Sequence, residues 1–206
     1  MGRIGTALLL AAGTLVVLVM YLPANRPQAP APAASVGTGA VNIGGPFTLQ
    51  DTTGKTVTDA DLKGRYSLVF FGFTHCPDIC PLVLQNVTRA LEDVGPVANY
   101  VQPVFISVDP ERDTPEEMKA YAANFHPQLL ALTGTVEQVK EAERAYKVFA
   151  AKVPLKDAEG KDTGDYSVSH TGFVYLMGPD GKYVSHFDKE ADAAAIAARL
   201  RQLAPA

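Results

Sequence analysis

Two residues in this chain carry obvious chemistry: Cys76 and Cys80, the only cysteines among 206 residues. They sit in Phe73-Thr74-His75-Cys76-Pro77-Asp78-Ile79-Cys80-Pro81, where a strongly apolar run gives way to a helical pattern. Three intervening residues put the pair at i and i+4, on one face of a first helical turn. At ~6 Å between Cα atoms, that spacing is within reach of a disulfide. A helix start favours negative charge, so at least one thiol should have a lowered pKa and be partly thiolate. Thiolate is the form that attacks disulfides and also the form that ligates soft metals. Pro77 suits the first helical position, where no N–H is needed. Both fates are therefore open. A purely stabilising bridge would gain little, because it closes so small a loop. A c-type haem needs two intervening residues and a following histidine, and a structural zinc normally takes four ligands.

A metal held by two thiolates needs at least a third donor, and the chain has four histidines. His75 adjoins Cys76, but its position at a strand end turns it from the cysteine face. His126 precedes a helix-stopping proline and reads as a surface residue. His186 lies mid-strand, where exposure to solvent is expected. His170 differs, because Ser167-Val168-Ser169-His170-Thr171-Gly172 is a polar loop directly before an apolar strand. In a thioredoxin-like arrangement that loop lies beside the start of the redox helix, which makes His170 a candidate ligand. Two thiolates and one imidazole would suit Cu(I), which accepts soft donors at low coordination number. Asp109 follows another buried strand, at the sheet edge where α/β sites assemble. The sequence alone favours reading Asp109-Pro110-Glu111-Arg112-Asp113 as a solvated turn.

The elements that must position these groups alternate. Phe47–Gln50 is a short strand followed by turn residues, and Ser67–Phe73 is a strand buried on both faces. A helix is expected from about Pro77 to Val94, with Leu82, Leu84, Val87 and Leu91 inside and Gly95 ending it. Val104–Val108 is the next buried strand. Thr114-Pro115-Glu116-Glu117 caps a helix that runs to about Phe125. Leu129–Leu132 is a strand, Thr135–Phe149 a helix, and Phe173–Met177 with Tyr183–Phe187 a hairpin. A last helix carries Ile196, Leu200 and Leu203 on one face. This order implies an α/β fold with an antiparallel portion contributed by the final hairpin.

Ahead of this domain, Ile4–Leu22 is free of charge and nearly long enough to cross a hydrocarbon core. It is longer than a usual secretory h-region, so residues 1–22 read as a membrane anchor, although Ala29–Ala34 leaves a cleavage site open. Residues 23–45 are rich in Pro, Ala and Gly and read as a tether without a core. Residues 46–206 form the folded domain. Residues 1–44 hold two basic and no acidic residues, leaving 16 basic against 22 acidic beyond them, a net −6. A domain of that charge is repelled by phosphate backbones, which argues against a nucleic-acid partner.

FFGFTHCPDICP (70–81), SVDPERDTPE (107–116) and YSVSHTGFVYLM (166–177) together resemble the Sco/SenC family, in its order and spacing. The resemblance covers roughly Pro46 to Leu203. It implies a thioredoxin-like, peroxiredoxin-type domain: a mixed central sheet flanked by helices. It implies a copper metallochaperone for cytochrome c oxidase assembly, with Cys76, Cys80 and His170 binding Cu(I) and Cu(II). Asp109 becomes a candidate neighbour or weak ligand. The implied recipient is the binuclear CuA site of oxidase subunit II, with an upstream copper donor. An N-terminal anchor is usual in the family, and with no transit peptide the topology suggests a bacterial inner membrane with the domain in the periplasm.

Two other activities use the same cysteines. A thiol:disulfide reductase would keep the acceptor's cysteines reduced through a Cys76–Cys80 disulfide, and His170 would then be dispensable. No proline lies between Leu155 and Gly178, where ordinary thioredoxins carry their cis-proline, which argues against a generic dithiol oxidoreductase. A peroxidase would need a threonine and an arginine beside the reactive thiol. Thr74 is near, and no arginine is assigned to that face.

Overall fold

The computed structural model describes residues 42–203. The expected anchor at Ile4–Leu22 and nearly all of the 23–45 tether lie outside them. Among the described residues no helix is long and apolar enough to cross a membrane.

Seven strands make one mixed sheet. Its centre is β3 (Tyr66–Gly72), parallel to β4 (Val101–Ser107), with Phe70 opposite Phe105. Both are buried along almost their whole length, which explains sequences that are mostly apolar, with Ser67, Gln102 and Ser107 buried among them. β5 (Leu130–Thr133) runs parallel on the far side of β4. β1 (Thr48–Asp51) and β2 (Thr56–Thr58) complete that edge antiparallel. On the other edge, β8 (Val174–Met177) pairs antiparallel with β3, and β9 (Tyr183–Phe187) pairs with β8. The strand order is β2-β1-β5-β4-β3-β8-β9.

Parallel neighbours need a crossover, and α1 (Ile79–Val94) supplies the one between β3 and β4. Its buried face comprises Cys80, Val83, Leu84, Val87, Ala90, Leu91 and Val94, packed against the sheet and against α4 (Ala193–Leu203). α2 (Pro115–Ala122) begins where expected, with the Thr114 side chain accepting from the Glu117 N–H. α3 (Val136–Tyr146) has a complete capping box between Thr135 and Gln138. It stops three residues earlier than predicted, at Lys147 in a left-handed conformation.

Three readings change. α1 starts at Ile79 rather than Pro77, and Leu82, expected inside, is 46% exposed. With Cys80 turned inward, the buried stripe continues through Val83 and Leu84, and Leu82 falls on the opposite side. Most consequential is a separate two-stranded sheet of β6 (Ala150–Lys156) and β7 (Asp162–His170). His170 is thus the last residue of a strand, not part of a loop, and it is paired with Ala150.

Candidate metal and redox site

The site forms where the C-terminal ends of β3 and β4 meet the start of α1. Cys76 lies in the turn after β3, its N–H donating to the Phe73 carbonyl at 3.3 Å. Cys80 sits one turn on, fully buried against β3. A Cβ at Gly72 would come within 2.9 Å of the Cys80 Sγ and 2.9 Å of the Phe105 ring. Glycine at this position is what lets the sulfur pack onto the strand. Both cysteines are free thiols, so the geometry is that of the dithiol.

The two sulfurs differ sharply. Cys76 is held down to a pKa of about 5, first by a hydrogen bond from the Cys80 thiol. Partial burial opposes this, and the backbone N–H groups of Cys80, Asp78 and Ile79 reinforce it. The Cys80 N–H lies 3.4 Å from the Cys76 sulfur. Cys80 is pushed far up by the Cys76 sulfur beside it and by burial. At neutral pH the pair is therefore one accessible thiolate and one buried neutral thiol.

His170 reaches this pair from β7, 90 residues beyond Cys80, with Nε2 3.6 Å from the Cys80 sulfur. Its other nitrogen, Nδ1, lies 2.9 Å from the Thr171 carbonyl. A carbonyl can only accept, so Nδ1 carries the proton and Nε2 presents its lone pair to the sulfur. Phe70 and Phe73 set their edges against the imidazole, with centroids 6.2 and 5.9 Å away. These edge contacts hold the half-buried imidazole in place against the core.

The loop after β4 braces the site without joining it. Asp113 is buried and accepts from Ser107 Oγ at 2.6 Å, Thr74 Oγ1 at 2.6 Å and the Thr74 N–H. It ties the cysteine turn to β4, and its burial raises its pKa. Asp109 is 1% exposed, which overturns the solvated-turn reading. Its carboxylate accepts from Arg112 Nε at 2.5 Å and from the Tyr166 hydroxyl at 2.8 Å. Arg112 in turn donates to the Tyr166 carbonyl at 3.0 Å and to Asp165 at 3.2 Å. Its guanidinium lies 3.8 Å from the Tyr166 ring centroid and 6.0 Å from that of Phe73. Arg112 and Tyr166 therefore latch the β6–β7 ribbon to the sheet, four residues from His170.

Sequence reasoning missed Gly72, Asp113, Arg112 and Tyr166. The signal for three of them was present in the acidic and basic pattern of 107–116 and in the Tyr166 of the third motif. An arginine does reach this face, but its hydrogen bonds serve Asp109, Asp165 and Tyr166, while the Thr74 hydroxyl is bound to Asp113. The other histidines stand apart. His75 is exposed, with Nδ1 3.0 Å from Thr74 Oγ1 and 3.9 Å from Asp113. His126 is half-buried, and its Nδ1 accepts from the Gln128 N–H. His186, expected in solvent, is instead half-buried, its ring tilted against Phe173 at 4.5 Å and bonded to the Tyr183 hydroxyl. Among the described residues no three His, Cys, Asp or Glu side chains are already spaced as a metal cage. Cys80 and His170 are in contact, and Cys76, in the turn before α1, must adjust to complete a set of three.

Fold and site define a thioredoxin-like protein with a helix-start dithiol and a histidine against its buried sulfur. The SCO1/SenC family profile matches residues 36–205, and the chain belongs to that family. The SCO2-like protein RP587 of Rickettsia prowazekii is 39% identical over 181 residues, covering 88% of this chain and 85% of that protein. The human mitochondrial SCO1 homolog is 41% identical over 160 residues, 77% of this chain; the chain spans about half of that longer relative, 52%. Bradyrhizobium japonicum ScoI, solved with copper bound, superimposes with a TM-score of 0.70 at 46% identity, covering 78% of this chain and 98% of that one. BsSco, described as a member of the Sco family of cytochrome c oxidase assembly proteins with a disulfide switch, gives 0.60 at 30% identity, covering 81% and 96%.

Proposed function

We propose that this protein is a copper metallochaperone that holds copper through Cys76, Cys80 and His170 and passes it to the binuclear CuA site of cytochrome c oxidase subunit II. The observation that carries the reading is the Cys80–His170 contact, with the imidazole tautomer set to offer Nε2. Two sulfurs and one such nitrogen are the donors Cu(I) prefers. A related protein solved with copper bound and another described as an oxidase assembly factor support it. Copper is the cargo. It arrives from an upstream donor and leaves by ligand exchange, one thiolate replaced at a time. The protein acts at a bacterial inner membrane, anchored by residues 1–22, with its folded domain in the periplasm.

Anaerobic titration of the reduced protein with Cu(I) tests this, with proton release followed in the same cell. One equivalent should bind, releasing about one thiol proton near pH 7, because Cys76 is already ionised and Cys80 is not. Below the Cys76 pKa of about 5 the release should approach two and the affinity should fall. Absence of stoichiometric binding, or unchanged affinity in Cys76→Ala and Cys80→Ala, would sink the proposal.

The split between a half-buried thiolate and a fully buried thiol also favours a second reading. Cys76 would attack an acceptor disulfide, and Cys80 would resolve the mixed disulfide by forming the Cys76–Cys80 bridge. The two readings separate on His170→Ala: oxidase assembly that survives it indicates thiol reduction rather than copper delivery.

A further inference from the structure

The ladder between β6 and β7 ends irregularly beside His170. Phe149, the residue before β6, adjoins Ala150, the register partner of His170. It is bonded to Thr171, the residue after β7. Two residues in a hydrogen-bonded antiparallel pair normally exchange both N–H···O=C bonds. Here only one is made: the Thr171 N–H donates to the Phe149 carbonyl at 2.9 Å. The Phe149 N–H donates instead to the Thr171 hydroxyl oxygen, at 3.0 Å. The Thr171 carbonyl, released from the ladder, accepts from His170 Nδ1 at 2.9 Å.

This exchange of acceptors has a chemical result. A side-chain oxygen satisfies the Phe149 N–H, and the backbone oxygen is left to take the imidazole proton. That bond puts the proton on Nδ1 and presents Nε2 to the Cys80 sulfur, 3.6 Å away. With an aliphatic side chain at this position, one carbonyl would have to serve both donors, and the Phe149 N–H would draw it back into the ladder. We propose that Thr171 is the positioning residue for His170: its hydroxyl stands in for its own carbonyl in the ladder, and so fixes the imidazole with Nε2 facing Cys80. A metal-holding histidine is commonly set by such a partner, whose loss costs about 10–100-fold in affinity. The consequence for copper rests on the ligand set proposed above; the tautomer does not.

The test is NMR of the reduced, copper-free full chain carrying nitrogen-labelled histidine. In the parent, His170 should show a protonated Nδ1 and an unprotonated Nε2. Thr171→Val should bring in the Nε2-protonated form at a comparable population, while the Phe149 amide stays protected from exchange on its new carbonyl partner. Thr171→Ser, which keeps the hydroxyl, should restore the parent tautomer. Cu(I) affinity should fall about tenfold in Thr171→Val and recover in Thr171→Ser. Adding Thr171→Val to His170→Ala should cost nothing further. An unchanged tautomer in Thr171→Val would overturn the proposal, as would an equal loss of affinity with and without His170. Rapid exchange of the Phe149 amide in Thr171→Val would show that the rung simply opens, and would overturn it too. Unchanged Cu(I) affinity in His170→Ala would overturn the ligand assignment alone, because the tautomer is read without metal.

Discussion

At the scale of single residues, the asymmetry of Cys76 and Cys80 comes from one hydrogen bond and one difference in burial. Because the Cys80 thiol is the largest cause of the low Cys76 pKa, removing it should undo the effect. The iodoacetamide reaction of Cys76 should titrate with a midpoint near 5 in the parent, and Cys80→Ala should move that midpoint upward by more than one unit. An unchanged profile would assign the depression to the backbone N–H groups instead. Gly72 offers a second check. A methyl there meets Cys80 Sγ and the rings of Phe70 and Phe105 at 2.9 to 3.0 Å. Overpacking of this kind costs about 1–3 kcal/mol. Gly72→Ala should lower the urea midpoint accordingly and, on the proposed ligand set, weaken Cu(I) binding by displacing the Cys80 sulfur.

Among the elements, those with a core face could be read from the sequence and those without one could not. β3 announces itself as seven nearly apolar residues, and α3 by a capping box that forms as expected. The β6–β7 ribbon left no such trace. Most of its residues are exposed on both faces, and Pro154 in the middle speaks against a central strand. By its sequence His170 therefore reads as a loop residue, and its approach to Cys80 does not follow from spacing. The same gap hid the role of Asp109. Its partner Tyr166 is 57 residues away on that ribbon, so an acidic, proline-containing segment looked like solvent-facing turn. If the latch positions His170, Arg112→Lys should keep the charge but lose the planar stack on Tyr166 and the fork to its carbonyl. Amide exchange in β6 and β7 should quicken while the central sheet stays protected, and Cu(I) affinity should drop about tenfold, or about 1.4 kcal/mol. Unchanged exchange in the ribbon would remove Arg112 from that role.

For the molecule as a whole, the three copper ligands proposed above come from parts of the chain with different holds on the core. Cys80 is packed into the sheet, whereas His170 ends a ribbon that stands outside it. Copper bridging the two should stabilise the folded state by mass action, about 4 kcal/mol at a thousandfold excess over Kd. Calorimetry should show a rise in Tm on Cu(I) loading of the reduced protein, much reduced in His170→Ala. An equal rise in that variant would mean that the imidazole does not share the metal.

The pairing of His170 with Ala150, outside the main sheet, has a consequence for how a copper ion held as proposed would depart. A bound ion tying Cys80 to His170 closes a covalent-like ring 90 residues around. Cys80 is anchored in the main sheet, and His170 is held by the ribbon and its latch. Fraying of the Ala150–His170 pair, together with the two Phe149–Thr171 hydrogen bonds that extend it, would open the ring without unfolding the main sheet. The ion is then left on two sulfurs, with one coordination position free for an incoming ligand. On the proposed ligand set the protein would carry its own clasp, and release would require the loss of the ribbon's last pairs rather than the opening of a domain.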